Sequence, residues 1–207
     1  LQRLDYEVVL PAGEVCCGMP LRSLGLEEEA KRFAKKNIEI FGRLNLEAVL
    51  SLCPTCTHAI TIEYPKLIGE GIEKATDISS FLLDKLAPSS SLLSPHTASA
   101  TYHDPCHLSY GLGIKKEPRE IIKKIGINLI ETKGERCCGF GGIFSLSSRE
   151  LSQGLLDQCI MDYTEIEAET ILTSCPGCMM QLRGGIHNKP VFHLIEVIEE
   201  AYVSSKV

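Results

Sequence analysis

The sequence predicts an α/β protein made of two pseudo-symmetric repeats, each a small parallel sheet flanked by helices, with cysteine clusters at the carboxyl ends of strands. Three observations predict it. A vicinal Cys-Cys-Gly occurs twice, in "EVCCGMP" and in "ERCCGFGG". Each is followed at nearly the same distance by a CxxC: 35 residues separate Cys17 from Cys53, and 36 separate Cys138 from Cys175. Finally, short apolar or β-branched runs alternate with helical patterns, as in βαβ units.

The elements follow in order. Residues 8–10, 48–52, 98–103, 128–131 and 170–173 read as buried strands. Residues 27–41, 147–164 and 192–202 carry helical patterns, and Glu27 to Glu29 suit the positive end of a helix dipole. Each CxxC directly follows a strand-like run and precedes a helix-like one, "EAVLSLCPTC" paralleling "ETILTSCPGC". That is the carboxyl edge of a parallel sheet, where open α/β folds bind ligands. The Ser- and Pro-rich stretch 87–99 reads as a linker, giving a first repeat at 1–90 and a second at 91–207. The copies are offset by 121 residues at the Cys-Cys pair and 122 at the CxxC. Cys106 in "YHDPCHL" has no counterpart, because the matching position falls upstream of Leu1. The first repeat is therefore expected to be cut short at its N-terminus, with a segment missing before Leu1.

Composition narrows the function. With 207 residues, 44% of them hydrophobic, the chain can bury a substantial core. The net charge of −6 and the lack of any Lys/Arg run longer than two argue against nucleic acid and anionic membrane surfaces as partners. No apolar run reaches the roughly 18 residues of a membrane span, and no G-x-G-x-x-G follows a strand-like run. A cytoplasmic location is expected, with any membrane association made through partners.

Ten cysteines, about 5% of the chain, are too few for a small disulfide scaffold. Adjacent cysteines also bridge poorly, because disulfide geometry holds the two Cα atoms well apart. Tight clusters read instead as metal ligands or redox thiols. Cys106, Cys137, Cys138, Cys175 and Cys178 come from three loops that the fold brings to one sheet edge. Thiolates converging on a point repel unless a cation compensates them, and iron or zinc does so. Five candidates exceed the four ligands of tetrahedral zinc, whereas an iron cluster offers several metal atoms. Cys16, Cys17, Cys53 and Cys56 form the first-repeat set, where zinc is a closer rival. Gly139, Gly141 and Gly142 suit positive φ and close approach of backbone N–H groups to sulfur. The first copy lacks the later glycines of that loop and carries Thr55 where the second has Gly177, so the two sites are expected to be unequal, the second more closely wrapped.

The tandem C-x30-CC-x36-C-x-x-C pattern resembles the CCG cysteine-rich domain family, over essentially the whole chain. That family includes the catalytic subunits of heterodisulfide reductases and the iron–sulfur subunits of glycolate, lactate and anaerobic glycerol-3-phosphate oxidising complexes. "YHDPCHLSYGLGI", "PREII", "CCGFGGIFSL" and "TSCPGCMMQL" look most like the glycolate/lactate type. The resemblance implies one or two 4Fe-4S clusters, noncubane in heterodisulfide reductases, ligated by the nine cysteines named above. It implies an electron-transfer subunit of a multi-subunit oxidoreductase, with flavoprotein or ferredoxin-type iron–sulfur partners. The alternatives are a catalytic heterodisulfide reductase subunit and a zinc-stabilised interaction module.

The remaining candidates carry two readings each. His103 and His107 flank Cys106 and serve either as turn-stabilising hydrogen-bond partners or as proton donors beside a cluster. His58 donates to cluster sulfur or caps a local helix. Cys159 reads as a buried small apolar residue, and Met179 and Met180 as helix packing. His96 and His187 carry no signal.

Overall fold

The computed structural model describes residues 1–86, 98–132, 134 and 136–204. The linker read at 87–99, with His96, lies almost entirely outside the described residues. Two parallel sheets are present among them. The smaller pairs β1 (Val49–Ser51) with β2 (Ala75–Asp77). The larger, ordered β4-β3-β5-β6, contains β3 (Ser99–His103), β4 (Asn128–Leu129), β5 (Thr170–Thr173) and β6 (Val191–His193). All pairings are parallel, as the alternation of elements predicts.

The repeat seen in the cysteines extends to the elements. The Cys-Cys loop of each copy leads into a short helix, α1 (Met19–Ser23) in the first and α7 (Phe144–Ser147) in the second. A 16-residue helix follows, α2 (Glu27–Gly42) and α8 (Arg149–Thr164), with Glu27 to Glu29 in the first turn of α2. Then come β1 and β5, and the helices that open on each CxxC. In the first copy this segment is α3 (Pro54–His58), a π-helical turn at Ala59–Glu63 and α4 (Tyr64–Ile68); in the second it is the continuous α9 (Pro176–Gly185). Each copy closes with a strand and a helix: β2 with α5 (Ile78–Leu83), and β6 with α10 (Leu194–Ser204). The second copy also has α6 (Lys116–Lys124) between β3 and β4.

The structure corrects several boundaries. Residues 8–10 form no strand: Val8, Val9 and Leu10 are 44%, 46% and 86% exposed, so there is no sheet face for them to cover. Phe192 belongs to β6 and the last helix starts at Leu194. β2 and β6, three residues each, are strands outside the predicted runs.

The largest core cluster joins the copies. Ile78 and Leu82 of α5 pack with Ala100, Tyr102, Ile121, Leu172 and Val197, so the closing helix of the first repeat is buried against the sheet of the second. Fully burying a side chain such as Leu82 stabilises by about 2 kcal/mol. A second cluster gathers Leu156, Ile171 and Leu182 under the second-repeat cysteines, and a third gathers Ala34, Ala59 and Tyr64 under the first. At the seam the hydroxyls of Ser79 and Ser174 stand 3.5 Å apart, and His193 Nε2 meets Leu52 O at 3.0 Å. The carboxyl ends of the two sheets are thereby held together.

Candidate metal centre

In each repeat the same local device presents the CxxC. Cys53 and Cys175 are N-caps with extended backbone, and proline occupies the first helical position after each. Proline suits that position because its missing N–H would be unbonded there anyway. The second cysteine follows three residues later on the same helical face, where helix N–H groups favour thiolate.

The Cys-Cys loops are anchored from behind by equivalent positions. Asn37 in α2 accepts from Val15 N–H at 3.0 Å and donates to Val15 O at 3.1 Å and Cys16 O at 3.4 Å. Cys159, 122 residues further on in α8, donates its S–H to Cys137 O at 3.3 Å. Cys159 is buried, as its sequence context predicts. Gly18 and Gly139 both have positive φ, 83° and 82°. Gly139 lies so close to α8 that a Cβ would sit 2.3 Å from Ser152 O, and its N–H donates to Cys137 Sγ at 3.4 Å. Gly141 and Gly142 also have positive φ, at 49° and 60°, as the glycine-rich loop predicts. Gly177 lets the Phe140 ring close over the loop: a Cβ there would meet the ring at 2.6 Å.

Cys106 follows β3 on the turn Asp104-Pro105. That turn is fixed by Arg119, whose guanidinium donates to both Asp104 oxygens at 2.8 and 2.6 Å and also to Glu131. The π-helical turn His107–Gly111 comes next, and π turns recur at functional sites.

The structure brings all nine motif cysteines to one place. Cys16, Cys17, Cys53, Cys56, Cys106, Cys137, Cys138, Cys175 and Cys178 line a single cavity of about 340 Å³. Their thiols form a continuous series. Cys53 accepts hydrogen bonds from Cys175, across the seam, and from Cys56, and its thiol falls to about 2. Cys137 accepts from Cys106 and Cys138 and also falls to about 2. Cys106 is correspondingly pushed up by its bond to Cys137, Cys56 by its bonds to Cys17 and Cys53, and Cys178 by its bonds to Cys138 and Cys175. Each thiolate is thus stabilised at the expense of a neighbour that keeps its proton. The whole set ionises together only with added positive charge.

The donor chemistry fits a metal or metal cluster. Four or more thiols per repeat converge on a shared cavity, glycines leave space beside them, and the buried Nε2 of His103 has no partner among the described residues. A ring nitrogen of His103 and the sulfurs of Cys138 and Cys178 lie within 4.8 Å of one another. Cys138, Cys175 and Cys178 are buried, whereas in the first repeat only Cys17 is. The second set is the more enclosed, as its glycines predict.

The two candidate histidines differ. His107 is on the cavity wall, its Nδ1 3.1 Å from Thr55 Oγ1 of the other repeat. His103 is 1% exposed and stands behind the thiols, with Nδ1 2.7 Å from the Tyr163 hydroxyl. Burial pushes its imidazole down to about 4, against the pull of Asp104 and Cys137. His58 packs its ring 5.3 Å from that of His107 and against Gly111, away from the cavity. Met179 packs under the second site, but Met180, one position on, faces solvent at 58% exposure. Asn37, Tyr64 and Tyr163 escape sequence reasoning. The offset of 122 that pairs Asn37 with Cys159 was the available signal for the first.

A family model described as "Cysteine-rich domain" matches residues 1–61 and 100–183, segments that hold all nine cavity cysteines. The chain belongs to the cysteine-rich domain family. Among family relatives, "Lactate utilization protein A" of Bacillus subtilis (strain 168) is 31% identical, over 96% of this chain and 88% of the relative. The protein of the same name from Halalkalibacterium halodurans is 32% identical, over 96% and 86%. A CoM/CoB fumarate reductase subunit of Methanothermobacter marburgensis is 28% identical over 98% of this chain but only 42% of its own length. In this cysteine-rich domain protein, no helix among the described residues is long and apolar enough to cross a membrane.

Proposed function

We propose that the nine cavity cysteines hold 4Fe-4S clusters and that the chain is an electron-transfer subunit of a multi-subunit oxidoreductase of the lactate/glycolate-oxidising type. The observation that carries this reading is the convergence of two complete CC/CxxC sets on one cavity, with thiols of the two repeats in contact at Cys53 and Cys175. Nine thiols exceed what one tetrahedral zinc takes. The similarity to lactate utilization protein A supports the substrate class. One-electron transfer is the chemistry that such clusters supply when bound.

The chain's own residues do the rest. Cys137, Cys138, Cys175 and Cys178, with Cys106, would hold the second centre. Cys16, Cys17, Cys53 and Cys56 would hold the first, with zinc as the rival occupant there. Phe140 and the buried shelf of Leu156 and Leu182 exclude water from one side. Exposed Cys16 and Cys137 leave the other side open toward a flavoprotein or ferredoxin-type partner. A cytoplasmic setting, with any membrane contact made through partners, belongs to the same reading.

One specific observation favours a second reading. The cavity lies between the two cysteine sets, with room for a thiol disulfide to be reduced between them. Anaerobically purified protein tests both. The first reading expects visible absorbance that bleaches on reduction and recovers with a quinone analogue, without disulfide turnover. Disulfide turnover would install the second, and a colourless zinc protein would remove both.

A further inference from the structure

The buried pair His103–Tyr163 has no place in the ligand set, yet it abuts the second-repeat thiols. His103 is the last residue of β3, Tyr163 lies near the end of α8, Cys138 belongs to the Cys-Cys loop and Cys178 to the first turn of α9. Four separate elements thus bring these side chains together. His103 and Tyr163 are 1% and 5% exposed. The Tyr163 hydroxyl is 2.7 Å from Nδ1 of His103. Nδ1 is therefore taken, and Nε2 is a buried polar atom without a partner among the described residues. A lone buried donor or acceptor is costly, so a retained one calls for a partner once the neighbouring thiols are drawn into ligation. The sulfurs of Cys138 and Cys178 lie within 4.8 Å of the ring.

We propose that His103 is a positioning residue for the second centre: the Tyr163 hydroxyl donates to Nδ1, which leaves the proton on Nε2, and Nε2–H donates a hydrogen bond to the ligand sulfur of Cys138 or Cys178. The direction of the first bond follows from chemistry. A phenol O–H is a better donor to an imidazole nitrogen than an imidazole N–H is to a phenol oxygen. A thiolate drawn onto metal keeps lone pairs that accept from a neutral donor, and such bonds lower electron density at sulfur and raise the potential of the centre. The device belongs to the second repeat only, because the residue 122 positions before Tyr163 is Phe41, which has no hydroxyl. This assignment rests on cluster binding at the second site. It gives that site a tuned potential that the first lacks.

The test is made on the full chain, purified anaerobically and reduced, with histidine labelled by 15N. Pulsed EPR of the wild type should show a weak nitrogen coupling, the mark of a hydrogen bond to a ligand sulfur. His103→Leu should keep its iron and lose that coupling. Its reduction equilibrium should shift about tenfold toward the oxidised form, about 59 mV downward for a one-electron couple. Tyr163→Phe should shift the potential in the same direction, and His103→Gln, whose amide can still donate, should recover most of the wild-type value. A strong coupling in the wild type would mean direct ligation by His103 and would overturn the proposal, as would absent coupling in the wild type or an unchanged potential in iron-replete His103→Leu. Should the leucine variant fail to fold, the wild-type spectrum still decides. A wild type without iron would overturn the cluster reading itself and this assignment with it, a result distinguishable from the others by metal analysis.

Discussion

The two repeats use one frame and finish it differently. In the second, β5 lies between β3 and β6; in the first, the equivalent β1 pairs only with β2 among the described residues. The second Cys-Cys loop has positive φ at three glycines and a phenylalanine folded over it, while the first has Gly18 followed by Met19 and Pro20. Glycine at 177 lets Phe140 close over one set of thiols, and the other stays half-open. The difference teaches that duplicating a cysteine frame does not duplicate the site, because enclosure is set by whatever stands beside the thiols. It also teaches that the two sites are not remote. The Cys53 and Cys175 thiols interact across the seam, so an occupant of one set would be felt by the other.

The largest effect should come from that contact. Cys175→Ser is expected to remove the second-site occupant, and Cys53→Ser the first-site one, each with several kcal/mol of destabilisation because ligation is coupled to folding, roughly 10 kcal/mol for a complete structural site. Each should also alter the spectrum of the surviving centre. If the surviving spectrum is untouched, the sites are independent and the shared cavity is incidental.

Next come the paired glycines. Gly139→Ala should destabilise by about 3 kcal/mol, since it adds left-handed strain to a clash with backbone. Gly18→Ala should cost about 1 kcal/mol, from φ alone, because its Cβ would meet Ala30 at an ordinary 3.4 Å. Thermal or urea unfolding of the two variants reads this ratio directly. Equal losses would remove the argument that the second loop is the more tightly seated.

The anchors behind the loops give a smaller contrast. Asn37→Ala strips partners from Val15, Cys16 and the Tyr64 hydroxyl and should cost about 2–3 kcal/mol. Cys159→Ala loses one weak S–H bond and some volume, about 1 kcal/mol. Cys159→Ser should keep full metal content, since its hydroxyl can still reach Cys137 O. Loss of metal in that serine variant would make Cys159 a ligand.

The smallest expected effect is at the seam. Thr55→Gly removes the bond to His107 Nδ1 and should cost about 1 kcal/mol while leaving metal content intact. Metal loss in this variant would show that His107 is held in place for ligation.

Much of this was legible in the sequence because the motif cysteines sit at strand ends, and a duplicated spacing constrains topology. The β-branched run 170–173 predicts β5 at its observed bounds, Thr170–Thr173. Residues 8–10 misled because three apolar residues satisfy a strand template without a sheet to join. β2 carries no apolar run, and Phe192 of β6 continues the apolar stripe of the last helix, so neither strand stands out in the sequence. At the site, the nine cysteines announced themselves by chemistry, but their meeting in one cavity did not. That meeting depends on α5 packing into the second repeat's core and on His193 reaching Leu52, contacts between residues far apart in the chain. The Tyr163–His103 pair was invisible for the same reason, being 60 residues apart on a helix and a strand.

Iron and acid-labile sulfide, determined together with zinc on the anaerobically purified chain and on its Cys138→Ser variant, test the central claim most directly. The account predicts iron and sulfide in matched amounts in the wild type, with most of the second-site share lost in the variant. Zinc without sulfide in the wild type, or iron and sulfide unchanged in the variant, would contradict it.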